Sequence, residues 1–183
     1  MKRVITALIF FILATAPAFS ETPEAISKSY FDLLKTQQWD KISALYDIES
    51  LHEFREMLSF ITELPDEAES QVLPQFFGPG TTRESLKAMD DAIFFASFLK
   101  SVMAQTAALG QFDFKKIDVL GSVPEGDSLS HVVTRTAFGM GDISMESIEV
   151  ISFRKTDTGW KILLQGKMKG IAQQIKNALS QLK

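Results

Sequence analysis

The sequence predicts an α+β fold, in which N-terminal helices pack in a curved four-stranded antiparallel sheet and a further helix follows the sheet. Up to Gly110 the apolar residues recur at about the 3.6-residue period of a helix. After Gly110 the period falls to about two, and turns rich in Gly and Asp separate segments with many β-branched residues. A narrow apolar stripe at helical spacing then returns, formed by Ile171, Ile175, Ala178, Leu179 and Leu182.

Capping patterns indicate where five helices should begin before Gly110. Thr22 should cap the first helix and Asp40 the second. The other three should begin at capping-box pairs, which are Ser50 with Glu53, Asp66 with Glu69, and Thr81 with Glu84. Pro74 should interrupt the fourth helix. The fifth helix should be the longest, ending at Gly110, and central, because residues 92–99 are apolar on almost every side.

Four strands are expected, and the turns between them are short enough to make neighbouring strands antiparallel. Their predicted ranges are 112–123, 129–138, 143–155 and 160–165. In the third strand the apolar face changes phase between Met145 and Ile148. This change predicts a β-bulge near Glu146 and Ser147 that bends the sheet.

The first twenty residues have the composition of an export signal. Lys2 and Arg3 precede an apolar run over residues 4–14, which is too short to span a bilayer. Small residues follow Pro17, so cleavage after Ala18 or after Ser20 fits the pattern. We therefore expect a signal peptide over residues 1–20, a periplasmic or secreted protein, and no membrane-spanning segment after the signal is removed.

Composition describes one globular domain over residues 21–183, with a sizeable core. The chain has no cysteine, which excludes disulfides, thiolate metal sites and a cysteine nucleophile. After residue 20 there are 17 Lys and Arg against 23 Asp and Glu, which argues against nucleic acid as a partner. Residues 154–183 alone carry seven Lys and Arg and one Asp, so this basic segment should pack beside the acidic remainder of the chain.

Two segments resemble the NTF2-like superfamily. Residues 30–46, with the sequence YFDLLKTQQWDKISALY, match its opening helix, its break at Trp39 and Asp40, and its short second helix. Residues 148–164 match a strand, a TDTG turn and a second strand that begins with Trp160. Together they cover less than half of the chain after residue 20, in a diffuse pattern. The resemblance implies a cone-like half-barrel whose sheet curls over the helices and leaves a cavity.

Within the steroid-isomerase branch of that superfamily, a hydrogen-bonding tyrosine lies on the first helix, and Tyr30 occupies the matching position. The branch also needs a carboxylate base and a second acid that project from the sheet into the cavity, and this sequence shows neither at a matching place. Because a phenol has a pKa of about 10, Tyr30 alone can donate a hydrogen bond but is a poor base at neutral pH. The resemblance therefore supports the fold more than an activity.

No motif for nucleophilic catalysis, phosphate binding, dinucleotide binding or metal binding is present, so we expect no cofactor, no metal and no catalytic residue. His52 should be solvated, and Asp90 and Asp91 should lie on a solvated edge. Phe94 and Phe98 belong to the core by default, although part of this aromatic group could line a cavity. His131 and Arg135 share one face of a strand. If that face turns inward they form a cationic end suited to an acidic ligand, and if outward they are surface residues.

The sequence is thus interpreted as an exported, non-catalytic binding module for a small apolar or acidic molecule. Its expected ligand-binding residues are Tyr30, Phe94, Phe98, His131 and Arg135. An alternative is a structural or interaction protein of the cell envelope, which acts as a homodimer through the sheet or as an accessory subunit. An isomerase or hydrolase built around Tyr30 is a third possibility, which requires a carboxylate within reach of a shared pocket.

Overall fold

Seven α-helices and a four-stranded antiparallel sheet make up the described part of the chain, which confirms the predicted α+β class. The computed structural model describes residues 21–108, 112–140 and 143–179, so the expected signal peptide and the expected helix stop at Gly110 lie outside the described residues. The helices are α1 (Pro23–Lys35), α2 (Trp39–Ser43), α3 (Ile48–Met57), α4 (Asp66–Phe77), α5 (Arg83–Ala88), α6 (Asp91–Ala108) and α7 (Gly166–Leu179), with a 3-10 turn at Ser59–Glu63. The strands are β1 (Phe112–Glu125), β2 (Leu129–Met140), β3 (Ile143–Thr156) and β4 (Gly159–Ile162).

The strands pair in chain order, β1-β2-β3-β4, and each pair is antiparallel. The outer edge of β4 is covered by the segment between α2 and α3. There Tyr46 forms a parallel bridge with Ile162, the Ile162 N–H donates to the Leu45 carbonyl at 2.9 Å, and the Asp47 N–H donates to the Ile162 carbonyl at 2.9 Å. This edge is therefore closed to further strand pairing.

The predicted bulge at Glu146 and Ser147 is wrong. β2 and β3 pair without interruption, and Ser147 faces Thr136 in regular register. The irregularities lie in β1, between Phe114 and Lys116 and between Val119 and Gly121. The apolar pattern misled because β3 carries apolar residues on both faces, with Ile148 and Val150 exposed on the side away from the helices.

Three predicted helix starts also need correction. The Thr22 hydroxyl caps α1 as expected, accepting from the Ala25 N–H at 3.3 Å. For α2, however, Asp40 lies inside the helix, and for α4 Asp66 is the first helical residue, with Pro74 inside the helix. For α3 the cap is Asp47, which accepts from two backbone N–H groups. The predicted cap Ser50 instead accepts from the Leu164 N–H at 3.1 Å, a contact with a residue distant in sequence.

The expected long helix from Thr81 is divided into α5 and α6. Thr82 and Ser85 form the capping box of α5, and the helix ends at Met89, whose backbone is extended. Asp90 caps α6, because its carboxylate accepts from the Ile93 N–H at 2.7 Å. The pair Asp90 and Asp91 is therefore partly structural: Asp90 caps a helix, and Asp91 binds His52 and Arg55.

The core lies between the helices and one face of the sheet, and α6 runs through the helical layer in contact with α2, α3 and α4. Phe54 packs against three rings of α6, with centroid separations of 6.3 Å to Phe94, 5.0 Å to Phe95 and 5.0 Å to Phe98. Such tilted and edge-on pairs add to the free energy gained by burying the rings. α6 is thus the central helix, as its all-round apolar surface predicts.

The basic C-terminal segment pairs with acidic residues of the helices and strands that precede it, as its charge predicts. Arg154 contacts Glu49 and Asp47. Lys167 contacts Glu149, and Lys169 contacts Glu53 at 2.5 Å. The shortest of these contacts are those to Glu49 and Glu149. None of the helices within the described ranges is long and apolar enough to cross a membrane.

Candidate functional site

The two faces of the sheet differ in what they carry. Along β2, Val132, Thr134 and Thr136 are buried and face the helices, whereas the alternate positions face away. We call the side that faces the helices the inner face and the opposite side the outer face. This division decides which of the predicted site residues can meet.

Five polar side chains lie together where α1 meets the inner face, and we call them the inner polar cluster: Tyr30, Tyr46, Thr134, Thr136 and Glu149. The rings of Tyr30 and Tyr46 are 6.3 Å apart between centroids. Glu149 pairs with Thr134 in the sheet, and its negative charge acts on Tyr30. The Thr136 hydroxyl is buried and has no hydrogen-bond partner among the described residues.

Burial raises the pKa of both phenols. For Tyr30 the rise comes mainly from desolvation, with a hydrogen bond from Tyr46 acting in the opposite direction and the Glu149 charge adding to the rise. For Tyr46 desolvation, together with Tyr30, raises the pKa well above its ordinary value. Both groups therefore stay protonated at neutral pH and act as hydrogen-bonding groups.

Glu149 is the sheet carboxylate that sequence reasoning missed. It lies on the inner face of β3, but it is held by the Lys167 ammonium at the start of α7 and accepts from the Ser147 hydroxyl at 3.3 Å. The carboxylate is therefore already engaged by an ammonium and a hydroxyl of the protein. The signal that could have found it is its place two residues before Ile151 and four before Phe153, which puts all three on one face of the strand.

A cavity of about 360 Å³ adjoins the inner polar cluster through Tyr46, and we call it the edge cavity. It lies between the α2–α3 connection, the first turn of α6 and the β3–β4 hairpin. Its apolar wall is formed by Ala44, Tyr46, Ile48, Leu51 and Ala92, and its polar lining by Ser43, Asp47, Thr156, Thr158 and Lys161. The volume is within the range of small-molecule sites, and Ile48 is 76% exposed beside it.

The two charged side chains in the described lining of the edge cavity, Asp47 and Lys161, already have partners within the protein. Asp47 accepts from the Glu49 and Ser50 N–H groups and lies 3.5 Å from Arg154. The Lys161 ammonium donates to the Ala44 carbonyl at 2.8 Å. With one acid and one base, both engaged by the protein, the lining favours an uncharged ligand over an acidic one.

A second groove, between the α1–α2 connection and α6, is larger but more polar. Its volume is about 580 Å³, and Gln37, Asp40, Lys41 and Lys100 are among the residues that line it. Polar side chains that are already solvated gain little when a small apolar molecule covers them. The edge cavity is therefore the better candidate.

The five residues expected to bind a ligand do not converge. Tyr30 lies in the inner polar cluster, and its edge-on contact with Tyr46 brings it next to the edge cavity. Phe94 and Phe98 are almost completely buried in the core. His131 and Arg135 face outward, so they do not provide a cationic end to a cavity within the fold.

No sequence signal marks the edge cavity, because its walls come from three separate stretches of the chain, 43–51, 92 and 156–161. Sequence reasoning places each stretch on an element but does not show which elements meet. Within the described ranges no group of three or more His, Cys, Asp or Glu residues is placed to hold a metal ion.

No protein-family model matches the sequence, and comparison with curated proteins gives no match. Among solved structures, the chain is similar to a SEC-C motif containing protein from Rhodopseudomonas palustris, with 17% identity and a TM-score of 0.42 over 78% of this chain and 75% of that one. It is also similar to a protein from Campylobacter jejuni described as an NTF2-like transpeptidase, with 16% identity and a TM-score of 0.40 over 79% of this chain and 100% of that one.

Proposed function

We propose that this chain is an exported binding protein that holds a small, uncharged, largely apolar molecule in the edge cavity. The observation that carries the proposal is the cavity itself, about 360 Å³, whose apolar lining comes from the α2–α3 connection, α3 and α6. Export is proposed from Lys2, Arg3 and the apolar run that follows. Kinship with the NTF2-like superfamily is likewise proposed, from the matched segments and the helix-then-sheet order.

Tyr46 has a specific part in this proposal. The residue lines the edge cavity, and its ring centroid lies 4.8 Å from that of Phe95 and 6.3 Å from that of Tyr30. A ring held by two neighbouring rings gives a ligand a rigid apolar surface, so binding costs little conformational entropy there. The inner polar cluster thus supports the cavity wall at Tyr46, and the ligand itself would occupy the edge cavity.

We expect the neutral probe N-phenyl-1-naphthylamine to bind. Its sulfonated analogue 8-anilinonaphthalene-1-sulfonate should bind at least about tenfold more weakly, because the Lys161 ammonium of the cavity lining already donates to the Ala44 carbonyl and Asp47 adds a negative charge. Ala92→Phe should fill the cavity and weaken binding of the neutral probe at least about tenfold. Fluorescence titration of residues 21–183 measures all three affinities.

The matched control is Ala104→Phe, an exposed alanine further along α6, which should leave the affinity unchanged. Circular dichroism and thermal melts show whether Ala92→Phe still folds. The binding proposal fails if Ala92→Phe binds the neutral probe as tightly as the original chain. It also fails if both probes bind equally. If Arg135→Gln then no longer binds the sulfonated probe, the result would indicate a site for acidic ligands on the outer face.

A second candidate function, an envelope interaction protein that forms a homodimer through the sheet, is favoured by the outer face. Three apolar side chains are exposed on this face, namely Val123 at 59%, Ile148 at 64% and Val150 at 53%. A fourth, Leu120, is 47% exposed at the β1 irregularity between Val119 and Gly121. Asp118 and Arg135 lie opposite each other in register on the same face. A two-fold contact is self-complementary, so each could meet its opposite charge on a second copy.

Sedimentation tests this candidate. Residues 21–183 should form a dimer at tens of micromolar, and Val150→Lys should make it monomeric, because a lysine buried in an apolar interface is costly. Ile93→Lys, at an exposed position on α6, should leave the dimer intact. A monomer at all concentrations for the unmodified chain would remove the dimer proposal and leave the ligand proposal standing.

A further inference from the structure

Three side chains on the outer face form a hydrogen-bonded row across three strands. The His131 ring on β2 has its Nδ1 atom 2.9 Å from the Ser152 hydroxyl on β3. Its Nε2 atom is 2.7 Å from a carboxylate oxygen of Glu125 at the end of β1. The row thus joins a hydroxyl, an imidazole and a carboxylate in the order found in activated serine nucleophiles.

The sheet register holds this row in place. Ser152 lies directly opposite His131 in the β2–β3 pairing, and Val123 lies directly opposite His131 in the β1–β2 pairing. Glu125 is two residues beyond Val123, on the same face, and reaches the ring diagonally. Three strands therefore position the groups, instead of one flexible loop, which favours a reproducible geometry.

The hydrogen bonds determine which ring nitrogen carries the proton. With Nε2 bound to the Glu125 carboxylate, the neutral ring keeps its proton on Nε2, and Nδ1 is left to accept the Ser152 proton. In this arrangement Nδ1 is the base and Glu125 is a positioning residue that stabilises the protonated ring. The His131 side chain is 29% exposed and Ser152 is half-buried, so both are accessible to a reagent.

We infer that Ser152 is a nucleophile activated by His131 and that it accepts acyl groups from carboxylic esters with a short apolar acyl chain and a good leaving group. The exposed side chains of Val123 and Val150 flank the row and provide the contact for the acyl chain. The row shares no residue with the lining of the edge cavity, and the inference does not depend on the proposed ligand.

The acyl transfer balances without a cofactor. As the Ser152 Oγ atom forms its bond to the carbonyl carbon, its proton passes to Nδ1 of His131 and the bond to the leaving oxygen breaks. With p-nitrophenyl butyrate the products are butyryl-Ser152 and p-nitrophenol if the imidazolium gives its proton to the phenolate, or p-nitrophenolate and hydronium if it gives the proton to water. A phenolate leaves without prior protonation, so the row needs no separate general acid.

The test is reaction of residues 21–183 with p-nitrophenyl butyrate and with a fluorophosphonate probe, at concentrations where sedimentation shows a monomer. We expect one butyryl group per chain, located at Ser152 by peptide mass spectrometry, and loss of both reactions in Ser152→Ala. His131→Gln should slow acylation about a hundredfold, the usual contribution of a positioned general base. Ser144→Ala, on the same face of β3, is the matched control and should react normally.

Glu125→Gln separates a positioning role from a merely structural one. Glu125→Gln should lower the acylation rate while the thermal midpoint stays the same, and Glu125→Asp should recover part of the rate, because a carboxylate at this position orients the ring. Glu125 is the charged group in contact with the ring, while Arg135 and Arg154 lie on the same face of β2 and β3. No modification of Ser152, or equal reaction of folded Ser152→Ala, would overturn the inference.

Discussion

Replacement of Phe54 by alanine should lower the free energy of unfolding by about 3–5 kcal/mol, the range measured for buried phenylalanines. Phe54 is fully buried on α3 and contacts the rings of Phe94, Phe95 and Phe98. Its loss would leave a cavity between α3 and α6 that three rigid rings cannot easily fill. The cost therefore includes lost ring contacts as well as lost apolar burial.

Urea denaturation followed by far-ultraviolet circular dichroism measures this change, and the midpoint should fall while the slope stays the same. Ile48→Ala is the matched control, since Ile48 begins the same helix but is 76% exposed. It should cost less than about 1 kcal/mol. Equal destabilisation by the two variants would show that the aromatic group does not dominate the core.

Replacement of Arg55 by alanine should cost about 2–3 kcal/mol, because the guanidinium holds the junction between α5 and α6. It donates to the carbonyls of Leu86 at 3.2 Å and Lys87 at 3.1 Å, to the Met89 carbonyl, and to the Asp91 carboxylate at 3.2 Å. Its carbon Cζ also lies 5.3 Å from the centre of the Phe94 ring. Without it, carbonyls at the end of α5 lose their partner.

Arg55→Lys should recover only part of the loss, since an ammonium on one stem cannot reach carbonyls and a carboxylate in several directions. Lys87→Ala, which removes an exposed cation from the same junction, should change stability by less than about 0.5 kcal/mol. Thermal melts at matched pH compare the three variants. Full recovery by lysine would show that charge alone, and not the planar set of donors, stabilises the junction.

The strands were predictable because their period and turns are local features. The predicted starts of the first three strands agree with β1, β2 and β3, and the ends differ by one or two residues. The fourth, β4, begins one residue earlier than predicted and ends at Ile162, three residues before the predicted end. Antiparallel order follows directly from the short turns.

Helix starts were less predictable, because capping groups have more than one possible partner. Ser50 fits a capping box by sequence, but its hydroxyl binds the Leu164 N–H, and Asp47 takes its place as the cap. Similarly, apolar residues recur at helical spacing from Leu86 to Leu99 and do not show the break at Met89, which Arg55 stabilises from another helix. Contacts between distant segments decided these positions.

The candidate sites depended still more on tertiary structure. Tyr30 was identified from the sequence, but Glu149, the edge cavity and the row of Glu125, His131 and Ser152 were not. The sequence leaves open whether the strand face that carries His131 turns inward or outward. The pairing of three strands places His131 on the outer face. A pattern of alternation defines two faces but does not say which one meets the helices.

By itself the sequence determined the α+β class, the number and order of the strands, and the central position of α6, since periodicity, turn residues and apolar content act locally. Only the tertiary structure decided where the bulges lie, which face of β2 is buried, and which distant residues form a cavity or a hydrogen-bonded row. The physical reason is that hydrogen bonds and packing between distant segments select among local alternatives of similar free energy.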